Sequence, residues 1–313
     1  MAFQFGKQFK ITIFGASHDV TVGIAMEGLP LGWEVPLHRM EEELRRRRPH
    51  TSKETSRQEP DQLLLLSGLQ DGKTTPSPLV IALENNQVKK EEYQTIERAF
   101  RPGHGDYTAH VKYGKGAWKT GGGIASGRMT ATLVVAGAMA MDLLEKKGIM
   151  ISSTILFGKN HCGAQIEVRG KNIPAGLGRP FFDSLESQLS HLYFSVPSVK
   201  GVVFGNIMKT YEMTGIEALD PYVPRGEGVG TENNHDGGIQ GGITNGEDVV
   251  VHIYLKPIAT QSTPVPTLNR ELEPVTLSVR GRHDSSIAER VRPVLESCMA
   301  IVVLDEMLQE SLL

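Results

Sequence analysis

The chain begins its regular patterning with a partly alternating, β-branched run, Phe9-Lys10-Ile11-Thr12-Ile13-Phe14, which predicts a strand. Val20 to Met26 predicts a second strand beyond the small-residue turn Gly15-Ala16-Ser17-His18. The period then changes. Leu37, Met40 and Leu44 fall at i, i+3 and i+7, which predicts a helix over 37–48. Pro49 ends it, because the residue before a proline is pushed out of helical space. Leu63–Leu66 and Leu79–Leu83 predict short buried strands on either side of a Gly72-Lys73-Thr74-Thr75 turn. A long apolar helix is expected over 126–147, with Gly148 in the C′ position. Further on, the pattern predicts a helix near 182–194, a strand over Val249–Leu255 and a C-terminal helix over 287–309, with Pro293 close to its first turn.

Two loop-rich stretches interrupt these elements, Arg101 to Ser126 and Gly226 to Gly246. Each half therefore runs through glycine-rich loops and an Arg/His/Asp turn into a long apolar helix. Arg101-Pro102-Gly103-His104-Gly105-Asp106 in the first half answers Arg280-Gly281-Arg282-His283-Asp284 in the second, although the match is too weak to count as a repeat. No linker separates the halves, so one interlocked α+β domain over 1–313 is expected.

Composition narrows the class. The 313 residues are 39% hydrophobic and 22% charged, as in a soluble globular protein, and can bury a sizeable core. A net charge of −3 argues against general nucleic-acid binding, while leaving room for a local cationic cluster. Two cysteines, Cys162 and Cys298, exclude a disulfide framework and suit a reducing compartment. No apolar h-region with a cleavage site follows Met1, and the uncharged stretch from Arg128 to Asp142 looks too short for a bilayer. A cytoplasmic protein is expected. The 34 glycines and 17 prolines are in excess, and that excess lies largely in the turns where the candidate chemistry sits.

Gly68-Leu69-Gln70-Asp71-Gly72-Lys73-Thr74 approaches a P-loop but has three residues where that motif needs four, so a β-turn is the better account. Arg45-Arg46-Arg47-Arg48 closes a helix whose preceding turn is Glu41-Glu42-Glu43. Complementing the helix dipole would explain it; so would a cationic wall for a multiply anionic ligand, with Lys53 and Arg57 nearby. Of ten histidines, His18 and His104 stand out because each lies in a small-residue turn where backbone can approach a ligand. A histidine so placed can serve as a general acid near neutral pH. No His/Cys/carboxylate spacing matches a metal site. In Gly237-Gly238-Ile239-Gln240-Gly241-Gly242 a tight hairpin needs no ligand, but paired glycines on both sides of a single apolar unit are harder to explain that way and suit a backbone held flat against a planar cofactor, whose phosphate Lys256 on the next strand could anchor.

These stretches together resemble the chorismate synthase family along nearly the whole chain. The resemblance rests on Phe14-Gly15-Ala16-Ser17-His18, Arg46 to Ser52, Glu59-Pro60-Asp61, Leu66-Ser67-Gly68, Phe100 to Tyr107, Lys112-Tyr113-Gly114, Gly121 to Arg128, Val199-Lys200-Gly201, the double-glycine segment, Leu255-Lys256-Pro257 and Gly281-Arg282-His283-Asp284. It implies a β-α-β sandwich with long core helices between two antiparallel sheets and pseudo-twofold halves, assembled as a homotetramer. The implied reaction is the anti-1,4-elimination of phosphate from 5-enolpyruvylshikimate 3-phosphate, giving chorismate for aromatic amino-acid biosynthesis. Reduced FMN takes part without net redox change, and an association with NADP comes with the family.

Carried over residue by residue, the resemblance makes His104 the acid beside the departing phosphate. His18 becomes the proton donor toward the reduced flavin, and Asp284 the group acting with the flavin in removing the ring proton. Ser17, Arg47, Arg48, Lys53, Arg57, Arg101, Ser126 and Arg128 would bind the substrate, whose two carboxylates and phosphate need preorganised cations. Ala125, Ser126, Ser198, Gly241, Lys256, Thr260 and Arg282 fall at flavin-contacting positions.

The chain departs from the family pattern at Ala16 and Asp19 around the Ser-His pair, at Ile124 and Met129, at Pro197-Ser198 and at Ser285. A connection around 157–168 also replaces a longer excursion. These departures define the alternative: a divergent paralogue that binds flavin or phosphorylated shikimate with little or no turnover. A flavin oxidoreductase on the same scaffold is a further reading, against which stands the lack of a nicotinamide-binding pattern.

Overall fold

The computed structural model describes residues 3–49, 60–85, 98–114, 122–159, 162–226, 228–260, 262–279 and 286–313. In chain order the main elements begin with β1 (Gln4–Phe5), β2 (Lys10–Gly15), β3 (Thr21–Glu27), α1 (Leu37–Arg46), β4 (Leu63–Ser67) and β5 (Leu79–Glu84). They continue with α2 (Asp106–Tyr113), α3 (Thr130–Glu145), β6 (Met150–Gly158), β7 (Ala164–Lys171), α4 (Leu185–Ser195), β8 (Val199–Phe204), β9 (Val249–Leu255) and α5 (Ala288–Gln309). Short hairpins fill the remaining loops.

The fold is α+β. The first half contributes a five-stranded sheet in the order β1-β2-β3-β5-β4, the second a four-stranded sheet in the order β8-β9-β7-β6, and every pairing is antiparallel. Helices α3 and α5 pack on each other, α3 against β3 of the first sheet and α5 against β6 and β7 of the second. Fourteen of the sixteen residues of α3 are buried, which is why its sequence is apolar all round instead of amphipathic. Over Gly127–Glu145 this segment is long and apolar enough to cross a membrane by composition, contrary to the expectation that it is too short. Its place is between the two sheets, with 89% of it buried in the protein.

Close approach of the two core helices depends on one position. A Cβ built on Gly137 of α3 would overlap both side chain and backbone of Ser297 on α5, with Ser297 Cα at 2.5 Å. Gly137→Ala should therefore cost stability despite the gain of about 1 kcal/mol in helix propensity. Overpacking against backbone has no cheap relief, and a net loss of about 1–3 kcal/mol is expected in the denaturation midpoint. An unchanged or raised midpoint would show that the helices can slide apart freely.

The far end of α5 ties down the N-terminal segment. The buried Asp305 carboxylate accepts hydrogen bonds from the backbone N–H groups of Lys7, Gln8 and Phe9 (2.6–3.0 Å). Pro293 is the sixth residue of α5, just past its first turn; Ser297 Oγ donates back to the Pro293 carbonyl at 2.6 Å. The expected Gly-Lys-Thr-Thr turn is displaced. Asp71 and Gly72 make the turn with positive φ, while Lys73-Thr74 forms a hairpin strand whose Thr74 Oγ1 donates to Pro30 O and accepts from Trp33 N.

Candidate active site

Two clusters of the expected residues sit at the end of the core where α5 begins. The first gathers around the turn after β2. Ser17 is fully buried, its backbone N–H donates to Gly123 O at 3.3 Å, and half-buried His18 follows it in the turn. This contact brings the turn against the short 3₁₀ segments Gly123–Ala125 and Gly127–Met129 that precede α3. Between them Ser126 caps the second turn, its Oγ accepting from the Arg128 N–H at 3.2 Å, while Ala125 beside it is exposed.

Arg128 points inward. Its Nε donates to Asn85 Oδ1 at 2.9 Å, Nη2 to Glu84 O at 3.0 Å, and Nη1 to the buried Asp61 carboxylate. Asn85 in turn donates to Ala16 O (3.2 Å) and Asp19 O (2.8 Å), so a chain of hydrogen bonds runs from Asp61 through Arg128 to the backbone flanking His18. Asp61 has a positive φ of 49° and also faces Arg48, whose Nε lies 3.6 Å from it and whose Nη2 donates to Pro60 O.

The four consecutive arginines have four different fates. Arg45 is exposed. Arg46 turns into the core, donating to Glu43 (2.6 Å) and doubly to the buried Glu296 (2.6 and 3.0 Å). Arg47 reaches the start of α3, with Nη2 on Gly127 O at 2.6 Å and Nε on Thr130 Oγ1 at 3.1 Å. Arg48 crosses to Asp61. Since successive side chains on a helix end diverge by about 100°, a basic run cannot form a single wall. Arg47 and Arg48 border this cluster, and Arg46 braces it from behind.

The second cluster is built on the turn before α2. Asp106, the first residue of that helix, is buried, and its carboxylate receives Arg101 Nε on Oδ2 and Arg101 Nη2 on Oδ1, both at 2.7 Å, with the Arg101 backbone N–H at 3.1 Å. His104 Nδ1 stands 2.7 Å from Asp106 Oδ1. Burial works against ionising Asp106, but the hydrogen bonds from Arg101 and His104 outweigh it and hold the carboxyl well below its usual range. The stability this lends is present above the ordinary carboxylate range and is lost only as pH falls through the depressed value. Asp106 is therefore ionised across the neutral range. Thr260 Oγ1 lies 3.5 Å from Arg101 Nη1, and Lys256 Nζ donates to Gly103 O, which brings the end of β9 onto the His104 turn. Ser198, with φ of 79°, accepts the Lys256 backbone N–H at 2.9 Å.

The expected cofactor positions are divided. Ser198, Lys256 and Thr260 gather at the His104 end, whereas Gly241 lies beyond the other end of β9. Gly241 and Gly242 (φ 61° and 86°) form the two-residue turn of a hairpin between Ile239–Gln240 and Ile243–Thr244, and Gly242 O accepts the N–H of Leu185 at the start of α4. Ser198 lies past the opposite end of that eleven-residue helix, so roughly 15 Å of helix separates the two places. Gly237, Gly238 and Gly242 each have a reason within the chain, since a Cβ there would meet Gly205, Asp248 and Ser184 respectively. Lys53, Arg57, Arg282 and Asp284 lie outside the described residues. No site role was expected of Asp61, Asn85 or Asp106; Asp106 alone carried a local signal, two residues after His104 at the start of a helix.

The family model for chorismate synthase matches residues 9–159 and 157–308. A chorismate synthase of Chloroflexus aggregans is 36% identical over 349 aligned positions, covering 98% of this chain and 96% of the relative. One of Roseiflexus castenholzii is 35% identical over 349 positions, covering 98% and 97%. Among solved structures, one described as a crystal structure of chorismate synthase superposes with a TM-score of 0.76 at 21% identity, covering 98% of this chain and 93% of the other. That last likeness bears on fold alone.

Proposed function

The chain belongs to the chorismate synthase family, and on that premise we propose how its own residues carry the reaction, the elimination of phosphate from 5-enolpyruvylshikimate 3-phosphate to give chorismate. It acts as a carbon–oxygen lyase. The observation that carries the residue-level reading is the His104 turn: an imidazole whose Nδ1 rests on a buried, ionised carboxylate, with Nε2 left for the leaving group.

In this reading His104 delivers a proton at the bridging oxygen as the C–O bond breaks, so that phosphate leaves as a better-stabilised anion. Arg47, Arg48 and Arg101, with Ser17 and Ser126, hold the trianionic substrate; Lys53 and Arg57 are carried over from the sequence for the same task. Arg128, whose donors already meet Asp61, Asn85 and Glu84, serves the site by fixing the backbone around His18. His18 acts as a second proton donor and Asp284 as the group near the ring proton.

Reduced FMN, when bound, supplies electron density to the allylic system and recovers it. Lys256 and Thr260 offer an ammonium and a hydroxyl beside the His104 turn, and this donor set fits a phosphate monoester. With Ser198, Ala125, Ser126 and Arg282 they are the residues that would hold the flavin. Gly241, carried over from the sequence for the same task, stands in the hairpin turn beside the start of α4.

We read residues 1–313 as one domain. A shortened connection around 157–168 is supported by two facts: the family match ends at 159 and resumes at 157, and 349 aligned positions exceed the 313 residues here. A cytoplasmic homotetramer, with NADP as an associated dinucleotide, completes the proposal.

The test is anaerobic. Purified protein with photoreduced FMN and 5-enolpyruvylshikimate 3-phosphate should release phosphate and form chorismate in equal amounts. A folded protein that binds substrate but forms no chorismate at saturating reduced FMN would overturn the reading in favour of a non-catalytic paralogue.

A further inference from the structure

We infer that Asp106 is the positioning residue of the site: it fixes which nitrogen of His104 carries the proton and so turns Nε2 toward the leaving group. The inference rests on the reading of His104 as the acid.

The contacts around His104 Nδ1 cannot all be hydrogen bonds at once. Asp106 Oδ1 lies 2.7 Å from Nδ1, and Arg101 Nη2 lies 3.0 Å from the same nitrogen. A guanidinium only donates, and an ionised carboxylate only accepts. If Nδ1 carries a proton it donates to Asp106, and the Arg101 contact is mere proximity. If Nδ1 is bare it accepts from Arg101 and meets the Asp106 oxygen lone pair against lone pair. The second arrangement sets two acceptors 2.7 Å apart with no proton between them. Arg101 Nη2 already has a well-directed acceptor in Asp106 Oδ1, also at 2.7 Å. The Nδ1–H arrangement therefore satisfies all three side chains, and the other leaves two of them in conflict.

Asp106 can impose this because it is itself held. It is 2% exposed, stands at the first position of α2 and receives three hydrogen bonds from Arg101, one of them from backbone. Arg101 is thus the clamp on the carboxylate, and Asp106 is what keeps Arg101 from donating to Nδ1. Remove the carboxylate and the arginine becomes the nearest partner of Nδ1. The neutral ring would then carry its proton on Nε2, and the imidazolium would face a guanidinium without an intervening anion. The logic is that of an orienting aspartate behind a catalytic histidine, where exchanging carboxylate for amide leaves the geometry but selects the wrong tautomer.

The wild-type protein supplies the first measurement, free of any folding question. Nitrogen-15 NMR of labelled imidazole, with His104 assigned by comparison with His104→Gln, should show His104 protonated at Nδ1 once the ring is neutral. An Nε2–H tautomer in the wild type overturns the inference. The second measurement is Asp106→Asn, checked for native secondary structure and for a cooperative melt. It should move the neutral tautomer toward Nε2–H and lower turnover by more than about 10-fold, with the KM for substrate changed far less. A folded variant with wild-type turnover and tautomer overturns the inference. If the wild type shows the Nδ1–H tautomer but makes no chorismate, the placement by Asp106 is supported and the functional reading alone fails.

Discussion

Replacing His104 with alanine is expected to lower turnover by about 10²- to 10⁴-fold, with substrate binding changed little. The expectation comes from what the variant leaves behind. Asp106 keeps three hydrogen bonds from Arg101, so the turn before α2 retains its main support, and the ring being removed is partly exposed instead of part of the core. In the proposed reading, binding falls to cations distributed over Arg47, Arg48 and Arg101, each of which has a partner other than the imidazole to hold its place. What disappears, in the proposed reading, is the proton delivered as the C–O bond breaks. Such a loss falls on the chemical step and not on uniform binding, so kcat and kcat/KM should fall together. Rapid-quench phosphate release at saturating reduced FMN separates the step from product release. Added imidazole should recover part of the rate, since the vacated space opens toward solvent. A wild-type rate in the variant would remove His104 as the acid and return the choice to His18.

The elements were legible because their periods are strong. The i, i+3, i+7 pattern of Leu37, Met40 and Leu44, the apolar run of α3 and the β-branched strands Lys10–Gly15 and Val249–Leu255 all appear where expected, within a few residues. Burial explains why: a strand or helix facing a core must present apolar groups at its own period. Side-chain direction was not legible at all. Nothing in Arg45-Arg46-Arg47-Arg48 says that the second goes to Glu296, 250 residues away, or that Arg128 folds inward onto Asp61. These partners are set by tertiary contacts between elements distant along the chain, which local pattern does not encode. The local constraints on three of the paired glycines, Gly237, Gly238 and Gly242, were hidden for the same reason. Their nearest constraints are Gly205, Asp248 and Ser184, all distant in sequence or hidden in loops. Asp106 was within reach, since a carboxylate beginning a helix two residues after a histidine in a tight turn is close enough to bond it.

Arg46→Met should destabilise the protein by about 3 kcal/mol near neutral pH, at the lower end of what breaking a buried ion pair costs. The lower end applies because the guanidinium is itself 40% exposed, whereas the carboxylates it leaves behind are not: Glu296 is 3% exposed and Glu43 11%. Methionine keeps most of the stem that packs beside α5, so the loss reports charge more than volume. Its pH dependence gives the sign. Burial, the larger cause, pushes the Glu43 carboxyl above its ordinary value of 4.5, Arg46 pulls it back, and Glu296 adds to the rise. A carboxyl raised in the folded state is favoured when protonated. Its stability contribution is complete below the ordinary value and is lost as pH climbs through the folded one. With Arg46 gone the downward pull disappears and two buried carboxylates face each other, so one of them takes up a proton at higher pH than before. The deficit of the variant should therefore be larger at pH 8 than at pH 5, read from denaturant midpoints at the two values. Adding Glu43→Gln to Arg46→Met should recover part of the loss at pH 8, because it removes one of the two like charges. A deficit independent of pH, or no recovery in the double variant, would mean that the network contributes packing alone. The same variant reaches the active site through the chain itself. Arg46 fixes the last turn of α1 against α5, and Arg290 Nε donates to the Arg47 carbonyl at 3.2 Å from that helix. Loosening the turn therefore displaces Arg47 and Arg48 together, so substrate KM should rise in a variant whose charge change is buried behind the site.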